Sequence, residues 1–373
     1  SNLVRISRKT YFHRYFELNI ANMKKTWIGI NSIIKNSKKS KNISQLKNPI
    51  NGKLEHDTEK LSNIMNQHFS SIGPNLAKKI PKSNKKFYEY LNNISQTDSF
   101  FFMPVSSHEI ENEILLLPSN KSYGLYSCPV DFLKASRHLI SEALASIFNI
   151  SVISGKYPKK LKISKIIPLF KADDVTDPNN YRPIALLSVF NRIFEKMMYK
   201  RLSKFTEENM LLFKSQYGFR KHFSTHHAVS DIISTIQTNI DKKLFSCAIY
   251  LDLTKAFDTV NHNILLAKLE HYGFRGIIHK WFESYLEGRT QTTSIGSSIS
   301  NKRESLCGVP QGSVLGPLLF LLYINDMFQS SDVFKFHLFA DDTNILYANK
   351  NMNTLETVVN KEIKKIQEWL IVN

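Results

Sequence analysis

Cysteine is nearly missing from this 373-residue chain: Cys128, Cys247 and Cys307 are its three, and they lie far apart. Such spacing excludes a disulfide framework and a cysteine-ligated zinc finger, and it fits a reducing intracellular compartment. Long apolar runs are missing too. The longest, residues 314–324, contains Gly316 and Pro317, is followed by Asn325 and Asp326, and is too short to cross a bilayer. It reads as a buried helix, and no membrane partner is expected. The first residues hold no apolar core of the kind a secretory leader needs. His226-His227 and His262 lack companion ligands at zinc spacing, so surface or capping roles are expected of them. No internal repeat is found. Acid is scarce at the start: residues 1–50 hold 11 Lys/Arg against Glu17 alone, over half of the excess behind a formal net charge of +18. Charge of that size exceeds the roughly 2–8 that solubility calls for in a small domain. It attracts polyanions, meaning nucleic acid or an anionic surface. Residues 1–50 are therefore expected to add RNA or DNA affinity.

What is present is enough to build a core. Hydrophobic residues make up 42% and aromatics 12%, which argues against disorder, and the length predicts two or three structural units. Residues 1–34 show helical spacing around Tyr11, Tyr15, Leu18, Trp27, Ile30 and Ile34 with basic residues interleaved. The aromatics there could stack on bases, but a helix core is the more economical reading. Residues 35–51 are Lys/Asn/Ser-rich and read as an exposed loop; the lysines at 35–41 are too diffuse for a nuclear signal. A helix is expected over residues 58–72 with Asp57 as cap, another over 106–117 opened by Ser106 or Ser107 with Glu109, and a third over 129–153. Residues 163–170 form a short apolar run like a strand, and 186–202 are helical in period. Farther on, residues 245–253 read as a strand, 277–286 as a helix, and 290–295 and 303–306 as strands. Residues 334–339 and 344–348 read as two strands joined at an acidic turn, and a final helix is marked by Leu355, Val358, Val359, Ile363, Ile366 and Leu370. The mixture predicts an α+β fold, an antiparallel sheet covered on one face by helices.

The sharpest chemical signal is a pair of acidic sites, each at the end or turn of an apolar strand. One is Tyr250-Leu251-Asp252-Leu253-Thr254-Lys255-Ala256-Phe257-Asp258, and the other is Leu338-Phe339-Ala340-Asp341-Asp342-Thr343. A carboxylate beside a buried strand is costly unless it is paired or binds a cation. Neighbouring strands would bring Asp252 and Asp341 together, and two divalent ions ~3.5–4 Å apart could then activate a hydroxyl and steady a leaving pyrophosphate. A lone Asp-Asp is more often a solvated turn or a helix cap; two matched sites in strand context weigh against that. Asp258 reads as a structural cap or hydrogen-bonding partner rather than a further ligand.

These segments, together with Gly308-Val309-Pro310-Gln311-Gly312-Ser313-Val314-Leu315-Gly316-Pro317, resemble the reverse transcriptases of non-LTR retrotransposons, most closely the jockey-like group. Tyr181-Arg182-Pro183-Ile184-Ala185-Leu186-Leu187 and Ser215-Gln216-Tyr217-Gly218-Phe219-Arg220 match further blocks in the same order. Fainter similarity reaches the first residues, in "ISRKTYF" and "KKTW". The resemblance implies a right-hand polymerase: a basic helical region at 1–100, fingers at 101–243, and a palm at 244–373 that runs into the start of a thumb connection. It implies Asp252, Asp341 and Asp342 as catalytic acids and ligands of two Mg²⁺ ions, with Mn²⁺ as an acceptable substitute. Phe257 falls at the position that would collide with a ribose 2′-hydroxyl, although core packing would serve equally as its role. Gln311 and Gly312 match the segment beside the nascent base pair, and glycines at 308, 312 and 316 would permit close backbone approach. Arg182 would grip the incoming triphosphate, with Lys165 or Lys171 assisting. RNA template, DNA primer and dNTPs are the implied partners, and nucleus and cytoplasm the implied location.

The chain departs from the pattern after Lys121-Ser122-Tyr123-Gly124, where Leu125-Tyr126-Ser127-Cys128 replace the usual acid and glycine before Pro129. It begins without Met and ends at Asn373, and so reads as a piece of something longer, with no endonuclease sequence and most of a thumb missing. Two rivals follow. A basic, element-derived module could hold RNA without polymerising. A two-metal nuclease would also need paired acids, but gives no account of the Phe257 and Gln311 blocks.

Overall fold

The structure is a computed structural model describing residues 2–34, 43–49, 52–91, 97–120, 122–126 and 128–373. The whole lysine-rich stretch at 35–41, and Lys121 and Ser127 of the departing segment, lie outside the described residues. The chain divides into two compact units, residues 1–44 and 45–373.

The first unit pairs α1 (Asn2–Leu18) with α2 (Met23–Ile33). Asn22 opens α2 by accepting from the Lys25 N–H, and Tyr15 donates to the Lys25 carbonyl at 2.9 Å. Gly29 lies so close to the Tyr15 and Phe16 rings that a Cβ would approach them to 2.6 and 2.8 Å. Tyr15 thus packs as expected. Tyr11 and Trp27 do not: they are 63% and 55% exposed.

The second unit starts with a short hairpin, β1 (Leu46–Lys47) and β2 (Leu54–Glu55), whose first strand lies inside the stretch 35–51 expected to be loop. Leu46 is fully buried, which explains the ordering. Then come α3 (Thr58–Ala77), capped by Asp57 as expected, α4 (Ser107–Leu115) and α5 (Val130–Ile153). At α4, Ser106 and Glu109 form a reciprocal capping box. Next are β3 (Ile163–Phe170), β4 (Tyr181–Leu186), α6 (Val189–Glu208), α7 (Thr225–Asp241) and β5 (Phe245–Leu251). The short α8 (Ala256–Thr259), α9 (His262–His271) and α10 (Ile277–Leu286) precede β6 (Thr290–Ile295), β7 (Ser298–Ile299) and β8 (Arg303–Glu304). The chain closes with α11 (Gly316–Ile324), β9 (Lys335–Phe339), β10 (Asp342–Asn349) and α12 (Met352–Val372).

Two larger sheets result. One is antiparallel, in the order β5-β10-β9, and the other runs β4-β3-β6-β7 with β8 beside β6. In the second sheet β3 pairs parallel with β6 only from Ile163 to Ile166, so Pro168 meets no β6 partner with its missing N–H. On the other side Pro168 faces Pro183 of β4. Helix α3 is joined to this sheet through a buried Asn66, which donates to the Asn301 carbonyl and accepts from Gln291 Nε2 at 3.0 Å.

The core lies among α5, α6, α9, α10 and α11, with Phe148, Phe194, Leu269, Trp281, Phe282 and Leu319 in one contiguous cluster. Helix α11 is apolar on all sides and almost wholly buried, as its uninterrupted hydrophobicity predicts. The mixed helix-and-sheet expectation holds. Among the described residues no helix is long and apolar enough to cross a membrane.

Candidate active site

The strand register brings the two acidic sequences to one end of the three-stranded sheet. The last β5–β10 pair is Leu251 opposite Thr343, so one further step sets Asp252 across from Asp342. Strand β9 ends at Phe339, which pairs with Asp342. Ala340 and Asp341 therefore form a two-residue hairpin loop. Its first position has φ +56°, a geometry normally given to glycine. A left-handed alanine costs roughly 1 kcal/mol or more, so this turn must be held by its surroundings.

Asp252 and Asp342 are exposed and Asp341 is half-buried. Burial is the main influence raising the Asp341 pKa; the charges of Asp342 and Asp252 add to it, and Arg182 opposes it. Like charges facing each other across a strand pair destabilise the sheet unless a cation intervenes. Carboxylate oxygens are the donors that hard divalent cations prefer. Among the described residues, no three His, Cys, Asp or Glu side chains are gathered tightly enough to hold an ion as they stand. The acids are neighbours, not a closed cage, and Mg²⁺ commonly takes one or two carboxylates and fills the rest of its shell with water and phosphate oxygens.

Beside the acids the chain sets positive charge. Lys255 has φ +56° at the start of α8 and donates to the Asn179 and Tyr181 carbonyls at 3.4 and 3.3 Å. Its pKa is lowered first by burial, then by Lys171 and Arg182, with Asp258 and Asp177 opposing. Lys171, Arg182 and Lys255 thus form one basic group. Lys165 does not join Lys171: it pairs with Leu186 and Thr292 at the opposite end of β3, roughly 20 Å along the strand.

The Gly308–Ser313 loop is sewn to the segment that follows β5. Gly308 N–H donates to the Val260 carbonyl, and Val309 N–H to that of Phe257, both at 2.8 Å. The Gln311 carbonyl accepts from Ala185 N–H at 2.7 Å. Gly312, at φ +118°, sits where a Cβ would come within 2.6 Å of the Ala185 oxygen, which accounts for glycine there. The Gln311 side chain donates to Asp258 at 2.9 Å. Asp258 is thus the hydrogen-bonding partner its sequence context predicted, and burial lifts its pKa to about 6. Phe257 stacks on Phe320 at 4.5 Å and meets the edge of Phe219 at 6.1 Å. Packing is therefore one of its roles, and the residue is part-buried.

Several residues of this neighbourhood carried no role on sequence. Lys255 is one. Glu195, fully buried on α6, accepts from Tyr285 Oη and from Val314 N–H at 2.6 Å, fixing the entry to α11. His262, expected at a surface or cap, has Nε2 2.8 Å from the Gly308 carbonyl. No local signal marks these residues, because each acts through a partner at least 46 residues away.

The sequence matches the reverse transcriptase (RNA-dependent DNA polymerase) family over residues 169–373, a span that holds every acid and base just described except Lys165. The chain belongs to the reverse transcriptase family. It is 31% identical over 274 residues to a probable RNA-directed DNA polymerase from transposon BS of Drosophila melanogaster, covering 71% of this chain and 30% of that protein. To the RNA-directed DNA polymerase from mobile element jockey of the same species it is 29% identical over 338 residues, 87% of this chain and 36% of that one. A Pol polyprotein from the R2 element of Popillia japonica is 25% identical over 226 residues, 56% of this chain and 31% of the relative. This reverse transcriptase chain thus spans about a third of the curated relatives it matches. Its similarity to mobile-element polymerases agrees with the resemblance carried by the motifs.

Proposed function

We propose that this chain supplies the polymerising core of a mobile-element reverse transcriptase, extending a DNA 3′-hydroxyl on an RNA template with dNTPs. The observation that carries the reading is the meeting of Asp252, Asp341 and Asp342 at one sheet end, beside Arg182, Lys171 and Lys255. In this reading the three-stranded sheet is a palm, and the sheet carrying Arg182 and Lys171 belongs to the fingers. The reaction joins the 3′-oxygen to the α-phosphorus and releases pyrophosphate.

Asp252, Asp341 and Asp342 would hold two divalent ions, Mg²⁺ or Mn²⁺, which supply activation of the hydroxyl and charge compensation for the leaving group. Arg182 is exposed and bears no carboxylate partner among the described residues, so its guanidinium is available to grip two phosphate oxygens. Lys171 would add charge at the same end of the strand. Phe257, held by Phe320, would present its edge to the sugar and disfavour a 2′-hydroxyl. Gln311 and Gly312, fixed on Ala185, would flank the new base pair. Most of the rate gain then comes from positioning and fixed charge.

A second reading, an RNA-holding module that does not polymerise, is favoured by the open arrangement of the acids. Primer extension on poly(rA)/oligo(dT) with Mg²⁺ and dTTP separates the two. Wild type should extend, and Asp252→Ala and Asp341→Ala should lose extension by at least ~10²-fold while keeping RNA affinity. Extension retained by either variant would sink the metal assignment. RNA binding without any extension by wild type would favour the module.

A further inference from the structure

The block Ser215-Gln216-Tyr217-Gly218 has no part in the chemistry above, yet it runs directly alongside the acid-bearing turn. Tyr217 N–H donates to the Leu338 carbonyl, and Leu338 N–H to that of Ser215, both at 2.8 Å. These bonds make the block a short parallel neighbour of β9. Gln216 is 2% exposed. Its Oε1 accepts from Gly218 N–H at 2.9 Å and from Ala340 N–H at 3.0 Å. Ala340 is the left-handed residue immediately before Asp341.

Gly218 completes the contact. A Cβ there would stand 2.3 Å from the Ala340 nitrogen and 2.9 Å from the Phe339 carbonyl carbon. Both are backbone atoms, so no side chain can be accommodated without moving the turn. The block is itself anchored. Asn325, buried just after α11, accepts from Phe213 N–H at 2.8 Å and donates to the Leu211 carbonyl at 2.7 Å. Tyr217 Oη donates to Asp231 of α7 at 2.7 Å.

We propose that Gln216 is a positioning residue for the acid-bearing turn: its amide oxygen locks the Ala340 N–H, and so fixes where Asp341 points. The argument rests on residue type. One carbonyl oxygen has two lone pairs and can serve two N–H groups at once. Being neutral, it does this without adding charge beside three carboxylates. The strained backbone at Ala340 needs such a hold, and Gly218 allows it to come close enough. Two of the four residues in the block thus contact the same backbone nitrogen, one by accepting its hydrogen bond and the other by leaving room for it.

The proposal rests on the polymerase reading, and its test separates the two. Gln216→Met keeps the volume and removes the acceptor; Gln216→Glu keeps an acceptor; Gly218→Ala displaces the turn without touching Gln216. Hydrogen exchange of the peptide spanning residues 339–342 is measured alongside melting temperature, kcat and the dNTP KM. In Gln216→Met the Ala340 amide should exchange faster, and kcat should fall about 10- to 100-fold with KM unchanged, since an ångström of misplacement costs that much. Gln216→Glu should keep the amide protected, and Gly218→Ala should lower kcat with KM unchanged. Wild-type kcat in Gln216→Met would overturn the proposal. So would a loss of kcat matched by a uniform rise in exchange across the chain, the mark of a merely structural residue. Faster exchange at residues 339–342 beside a wild type that never extends a primer would support the clamp and fail the polymerase reading.

Discussion

Two regions of this chain place carboxylates where charge is costly, and they treat them in opposite ways. In the core, Asp326 and Lys268 are both fully buried and meet at 2.6 Å. Lys268 also donates to the Tyr323 carbonyl at 2.6 Å, and its ammonium lies 5.0 and 5.2 Å from the Tyr323 and Trp369 rings. Burial pushes Lys268 down and Asp326 up, and their contact opposes both shifts. At the sheet end, Asp252, Asp341 and Asp342 make no ion pair with any described Lys, Arg or His, although Arg182 is near enough to act on Asp341. Charge that serves the fold is neutralised within the chain. In the proposed reading the charge at the sheet end is kept for divalent cations, and the fold carries the repulsion.

The largest test of this contrast is to break the core pair. Lys268→Met should destabilise the second unit by about 3–5 kcal/mol, because a buried carboxylate then loses its cation. Urea denaturation measures it, and Lys268→Met with Asp326→Leu should recover most of the loss. A single variant as stable as wild type would remove the contrast. Asp258 offers an intermediate case, a part-buried acid whose partner is the neutral Gln311. Its folded pKa of about 6 lies above the ordinary aspartate value of 3.8, so between those pH values the folded state binds more protons than the unfolded state. Stability should therefore fall as pH rises from about 4 to about 6. Asp258→Asn should flatten that slope and gain on the order of 2 kcal/mol at pH 7. A slope unchanged by the substitution would show that the carboxyl is better solvated than its burial implies.

Sequence patterns revealed the parts of this site that depend on local period. The apolar run before Asp252 and the paired runs around Asp341 fold as β5, β9 and β10, and Ser106 with Glu109 caps α4 as their spacing requires. Strand β4 was legible only as a motif, since Pro183 supplies no N–H and argues against a strand; β4 tolerates it as the edge strand of its sheet, where Pro183 stands opposite Pro168. Leu46 looked like one apolar residue in a polar loop until β2 folded back on it. The roles of Gln216, quoted only as part of a matching block, and of Glu195 are illegible for a different reason. Each is one polar residue in a segment whose neighbours set the pattern, and each acts on a backbone N–H more than a hundred residues away. Long-range polar contacts leave no periodic trace.

The smallest expected effect is the most direct test of the uncompensated acids. An ordinary structural carboxylate stabilises the fold, and replacing it costs stability. Asp341 should behave in the opposite sense. Burial and the neighbouring charges raise its pKa, so ionisation is easier in the unfolded chain and works against folding as pH rises past the usual carboxylate range. Asp341→Asn removes one of three like charges and should raise stability at pH 7 by up to about 1 kcal/mol, the scale of a cross-strand charge pair. Mg²⁺ added alone should stabilise wild type through preferential binding to the folded state, and do so less in the variant. Thermal melts of both proteins with and without Mg²⁺ read all four values. A variant less stable than wild type, with the same response to Mg²⁺, would place Asp341 with Asp326 among the acids that serve the fold and would end the distinction between the two regions.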